Sequence, residues 1–175
     1  PEYGGAVRIV NFVHSFYTYL PPEKYFAAHP EWYSEIDGKR KHENAQLCLT
    51  NEEMIRELSK NVLETLRKNP GAKMIDVSQN DWYGFCTCAK CKSIDDAEQS
   101  HSGTLLSMLN KVAEAVAKEF PDVLVESLAY QYTRKPPKTI KPRDNVLIRL
   151  CTIECSYIQP LVGEQNRKFA ADMEG

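Results

Sequence analysis

Two sets of residues in this 175-residue chain have the types and spacing that chemistry requires. The first is sulfur. Cys86-Thr87-Cys88-Ala89-Lys90-Cys91 sets three thiols close enough to face one metal ion, given a fourth ligand such as Cys48, Cys155 or His101. A zinc ribbon repeats C-x-x-C twice; here the second pair is missing, and Cys151 with Cys155 is a loose substitute. Cys88 and Cys91 could equally close a disulfide, which an exported protein would favour. Structural zinc on Cys86, Cys88 and Cys91 therefore stands beside a disulfide or plain reduced packing, the latter two slightly ahead. A thioredoxin-type redox pair ranks last, because that pattern places C-x-x-C at a helix start directly after a strand.

The second set is polar and aromatic. His14 and Tyr17, then Asn80, Asp81 and Trp82, then Tyr130 and Tyr132, then Glu154 and Tyr157 each follow or end an apolar, strand-like stretch. In parallel sheets the carboxyl ends of strands carry the binding loops. Aromatic faces suit the apolar faces of sugar rings, amides and imidazoles suit their hydroxyls, and glycosidic cleavage needs two carboxyl groups. Asp81 is the expected general acid, since the neighbouring Trp82 ring would desolvate it. Glu154, at a strand end, and Glu126, inside a strand, are the candidates for the second carboxylate. His14, Tyr17, Asn80, Trp82, Tyr130 and Tyr132 are the expected substrate contacts.

Each of these residues also has a plainer role. An aspartate just past a strand commonly caps a turn, and a histidine ending a buried strand commonly satisfies a core hydrogen bond. No G-x-G-x-x-G or G-x-x-x-x-G-K-S/T stretch follows any strand, so a nucleotide-binding cradle is excluded.

The elements that would position these residues are legible from periodicity. Residues 7–14 read as a first strand. A long excursion over 20–40 should hold a short helix over 24–28, opened by Pro21-Pro22 and stopped by Pro30, and a hairpin turning at Asp37-Gly38. A short strand over 46–49 leads to a capping box of Thr50 and Glu53, and then to a helix with Met54, Leu58, Val62 and Leu66 on one stripe. Strands over 73–78, 123–129 and 146–150, a helix over 104–120 and a last helix near Gly163 complete the chain. Five strands alternating with helices or long crossovers predict a single α/β domain over 1–175 with a mainly parallel sheet. Its architecture is either an open doubly wound sheet or part of a closed barrel.

Composition removes other classes. With 22 basic and 24 acidic side chains the net charge is -2, which supplies no excess cation for nucleic-acid phosphates. No apolar run approaches the roughly 18 residues of a membrane helix, so no membrane span is expected. The chain opens on Pro1 without a charged and apolar leader, and any targeting segment is expected to be removed or to lie elsewhere.

The strings at 20–26 (LPPEKYF), 29–32 (HPEW), 46–50 (QLCLT), 78–81 (SQND) before C-x-C-x-x-C, and 129–133 (AYQYT) before Pro136-Pro137 resemble the bacterial domain-of-unknown-function family 4838. That family is similar to the glycosidase barrel clan of α-glucuronidases and hexosaminidases, and is common in polysaccharide-degrading systems of gut Bacteroides-type bacteria. The resemblance implies a (β/α)8-type TIM barrel in an exported, periplasmic or cell-surface glycoside hydrolase, with a carbohydrate substrate and no required cofactor. It puts Asp81 at a position suited to the acid and His14 near the substrate. A complete barrel takes about 250 residues, so about five strands in this chain would be a partial barrel. The alternatives are a non-catalytic carbohydrate-binding domain and a metal-stabilised interaction domain built around the cysteines.

Overall fold

The computed structural model describes residues 7–174. In chain order the elements are β1 (Ile9–Val10), α1 (Phe16–Tyr19), α2 (Pro22–Tyr25), a 3-10 turn (Pro30–Trp32), β2 (Glu35–Ile36), β3 (Lys39–Arg40), α3 (Glu52–Arg67), β4 (Met74–Asp76), α4 (Ala89–Glu98), α5 (Ser102–Glu119) and β5 (Leu124–Ala129). A 3-10 turn (Gln131–Thr133), β6 (Val146–Leu150), a third 3-10 turn (Glu164–Asn166) and α6 (Arg167–Glu174) follow.

Four strands form one parallel sheet in the order β1-β4-β5-β6, and β2 and β3 form a separate antiparallel hairpin. Each sheet strand thus lies beside its sequence neighbour in the sheet. Parallel neighbours need crossovers, and α3 and α5 supply two of them. The protein is a mixed α/β domain; the described residues form an open four-stranded sheet and contain no closed barrel.

The α3 stripe is apolar because four-residue spacing keeps Met54, Leu58, Val62 and Leu66 on one side, and all four are buried. They join Leu105, Met108, Leu109, Val112 and Val116 of α5, with Val10, Ile75, Val77 and Val125 from the sheet, in one core. Burying each such side chain contributes about 1.5–3 kcal/mol, so this layer fixes the sheet's helix-covered face. Alternation then sends Asp76 and Glu126, registered partners on β4 and β5, to the opposite face.

Several expected elements differ. The first strand shrinks from 7–14 to Ile9–Val10, because Asn11 (φ 57°) and His14 (φ 61°) adopt left-handed backbone that cannot extend a strand. Residues 46–49 join no sheet; Leu47 makes a single bridge with Tyr33, beside the bridge of Ala45 with Gly84, and the backbone of Gln46 and Cys48 also bonds Ser34, Gly84 and Trp32. The cap of α3 is Asn51, whose side chain accepts from the N–H groups of Glu53 and Met54 (both 3.0 Å), and not Thr50. The hairpin at Asp37-Gly38 is present, with Gly38 at φ +72°. Helix α4 has no counterpart in the sequence reading. No described helix is long and apolar enough to cross a membrane.

Candidate functional site

All four sheet strands end on one cavity of about 530 Å³. Phe12, Val13 and His14 come from the end of β1, Asp81 from beyond β4, Leu128 and Tyr130 from β5, and Arg149 to Ile153 with Tyr157 from β6. Such convergence follows from parallel strands, whose carboxyl ends share one edge.

His14 is held rigidly there. Its backbone N–H donates to Ser78 Oγ (2.9 Å), and its Nδ1 lies 2.8 Å from the Gln79 carbonyl. A carbonyl only accepts, so Nδ1 carries the proton and Nε2 is left with no hydrogen bond among the described residues. The imidazole also lies against Tyr130, ring centroids 5.9 Å apart.

Asp81 is exposed, and its Oδ1 accepts from the Tyr130 hydroxyl (3.0 Å) and from Gln131 Nε2 (3.3 Å). The shielding expected from Trp82 is not found, since that ring is itself 47% exposed and does not line the cavity. Burial, and then the bond to Asp81, push the Tyr130 phenol up, so it stays a neutral donor.

Behind the cavity lies a buried carboxyl pair. Asp76 Oδ1 accepts from Ser78 Oγ (2.7 Å), Glu126 Oε1 accepts from Arg149 Nε, and the other oxygen of each carboxyl has no partner. Burial, opposed by the serine hydroxyls and reinforced by Glu126, pushes Asp76 up to about 6. Arg149 links the two levels: it lines the cavity, pairs with Glu126, and sits 5.3 Å over the Phe12 ring. Sequence reading named Glu126 and missed Asp76, which looked like one polar residue in an apolar strand.

The remaining candidates are not brought to this cavity. Glu154 is exposed and paired with Lys168 (2.6 Å) and Arg134 (3.4 Å). Tyr17 donates to the His42 carbonyl (2.9 Å) and borders a separate hollow with Phe26 and His42. The Asn80 amide is engaged at both ends away from the cavity: Nδ2 donates to the Ala45 carbonyl (3.0 Å), and Oδ1 accepts from the Tyr17 N–H (3.4 Å). Tyr132 packs on Phe85 and His101, where burial raises its phenol. A second, apolar cavity of about 350 Å³ between α5, β6 and the 136–142 crossover touches none of these residues.

The sulfur atoms of Cys48, Cys86, Cys88 and Cys91 all lie within 4.8 Å of one another and are buried. Cys48 is therefore the fourth member of the set, in place of Cys155 or His101. His101 instead bonds Asp95 (2.8 Å) and packs at a tilt against the Phe85 ring. All six cysteines are free in this structure, which holds no bond across Cys88 and Cys91, one of the alternatives the spacing left open. Hydrogen bonds from Cys86 and Cys91, with Arg40 and Thr50 contributing, hold the Cys48 thiol far below its usual value; proximity to Cys48 pushes Cys86 up to about 12. The donor set and its compactness are compatible with a structural metal ion.

A parallel α/β sheet with a strand-end cavity, flanked by a four-thiol cluster, is the class of domain the geometry defines. The chain belongs to the family described as domain of unknown function (DUF4838), whose model matches residues 2–175. No curated protein and no solved structure matches the chain.

Proposed function

We propose that this domain acts on an oligosaccharide or polysaccharide, cleaving a glycosidic bond with Asp81 as the carboxyl group that meets the substrate. The observation that carries this reading is the meeting of Asp81, His14, Tyr130 and Arg149 on one cavity at the carboxyl edge of the sheet. A sugar seated there would displace water from Asp81, which then serves as the general acid. His14 Nε2 accepts a sugar hydroxyl, and Tyr130 and Tyr157 offer ring surface. Glu126, the other candidate carboxyl, is fully buried and does not line the cavity; it bears on the site only through its ion pair with Arg149.

The order β1-β4-β5-β6 has no reversal point, which favours a segment of a (β/α)8 barrel over a doubly wound sheet. An exported location goes with a polymeric glycan substrate. The hydrolysis needs no cofactor, and the four thiols act as a structural centre, since a site closed by four protein ligands has no open position for substrate.

One observation favours a second reading, a carbohydrate-binding domain without catalysis. Among the described residues Asp81 is the sole carboxyl lining the cavity, and binding needs no second one.

The experiment is release of reducing ends from a panel of glycans by the wild-type protein and by Asp81→Asn. Loss of about 100-fold or more in turnover, the usual scale for removing an acid-base group, supports hydrolysis. Equal turnover by both removes Asp81 from the chemistry. Glycan binding without turnover, unchanged in Asp81→Asn, establishes the binding module.

A further inference from the structure

We infer that Cys48, Cys86, Cys88 and Cys91 bind one zinc ion as a closed tetrathiolate, and that this ion fixes the loop carrying Asp81. A tetrahedral zinc with Zn–S bonds of about 2.3 Å sets its sulfur atoms about 3.8 Å apart. Cys48 Sγ lies 3.7 Å from Cys88 Sγ and 3.9 Å from Cys91 Sγ. A disulfide would need about 2.05 Å.

The surroundings are those of thiolates rather than of apolar packing. The Glu35 backbone N–H donates to Cys86 Sγ (3.3 Å), Arg40 Nη1 lies 3.8 Å from the same sulfur, and Thr50 Oγ1 lies 3.2 Å from Cys91 Sγ. Four thiolates around Zn²⁺ leave two net negative charges, and these donors with one guanidinium are the outer groups that such a charge calls for. Cys88 caps α4 and Cys91 lies in its first turn, where the helix N-terminus favours negative sulfur.

The same segments clamp the Asp81 loop. Two residues before Cys48, Gln46 donates through Nε2 to the carbonyls of Asn80 (2.9 Å) and Trp82 (2.6 Å), and its Oε1 accepts from the Asn80 N–H (2.9 Å). Two residues before Cys86, the Gly84 carbonyl accepts from the Gln46 N–H (3.0 Å). Zinc would thus tie 46–48 to 84–91 just where those segments bracket Asp81. The inference is independent of the carbohydrate reading, because metal content is measured without any substrate.

The test is metal analysis of the full chain purified without chelator, with Cys48→Ser and, as control, Cys151→Ser. The expected result is about one zinc per chain in wild type and Cys151→Ser, as a closed four-ligand site requires, and none in Cys48→Ser. If Cys48→Ser fails to fold, wild-type protein refolded with cobalt should show the thiolate-to-cobalt charge-transfer band and the intense visible bands of a tetrahedral site. Chelation should speed amide exchange over 80–88 by about tenfold or more, leaving α5 unchanged. A metal-free protein with no cobalt spectrum, a red iron centre, or disulfides found by mass spectrometry would overturn the assignment. Unchanged exchange over 80–88 after chelation would overturn its link to Asp81.

Discussion

Asp76 is the side chain on which pH acts most directly. Its folded-state value of about 6 lies above the 3.8 of the free group, so the folded state binds the proton more tightly than the unfolded chain does. Stability therefore falls as pH rises from about 4 to about 6, and the penalty is complete above that window. A shift of this size corresponds to a cost on the order of 3 kcal/mol at neutral pH. Asp76→Asn removes the titration and places an amide donor on a face where Glu126 Oε2 has no partner. Urea midpoints across pH 4 to 7.5 should be flatter in the variant and higher than wild type at pH 7.5; an identical slope in the two proteins would show that Asp76 titrates normally. Truncating Arg149 should act oppositely. It leaves Glu126 buried and uncompensated, so Arg149→Ala should lower stability by about 3 kcal/mol, read from the same midpoints.

At the scale of elements, Gly84 shows why the loop beyond β4 has its path. A Cβ there would stand 2.2 Å from the Asn44 carbonyl oxygen and 2.8 Å from the Ala45 Cα, both backbone atoms with no rotamer to yield. Gly84→Ala should cost about 2 kcal/mol or more by forcing 44–46 away from 84, and thermal unfolding should show it. Asn51→Ala removes the α3 cap alone and should cost about 1 kcal/mol, leaving the cavity intact. If Gly84→Ala proves milder than Asn51→Ala, the approach at 84 is looser than its geometry.

The same scale explains what the sequence could and could not reveal. Helices α3 and α5 were legible because their apolar residues repeat at helical spacing and meet the sheet. Helix α4 was not, because its buried residues are Cys91, Asp95 and Glu98. Those carboxylates accept from the Thr104 N–H (3.1 Å) and from the Thr139 N–H (2.6 Å), a tertiary role that leaves no apolar period. Asp81 and His14 could be placed at strand ends by position alone. Cys48 could not be singled out among its rivals, since only the fold brings residue 48 to residue 91, and Glu154 lay at a strand end yet turned to Lys168.

Across the whole molecule, burial is distributed unevenly, and the cavity lies at the boundary. Helices α3 and α5 with β4 and β5 supply most of the buried core, whereas in 151–163 the side chains of Ile153, Tyr157, Ile158 and Val162 are all at least two-thirds exposed. Segments with little buried apolar contact open at low free energy, so 151–163 should exchange and be cut before the core unfolds. Tyr157 is 77% exposed, lines the cavity, and is held by one hydrogen bond from its hydroxyl to the Thr152 carbonyl (3.0 Å). Chymotrypsin should therefore nick native protein first at Tyr157, while the core fragment stays intact. A glycan seated against that ring should slow the nick in proportion to its occupancy, because binding to the closed form lowers the open population. Cleavage beginning instead within α3 or α5 would contradict the distribution of stability, and cleavage at Tyr157 that no glycan slows would remove the outer wall of the cavity from carbohydrate recognition.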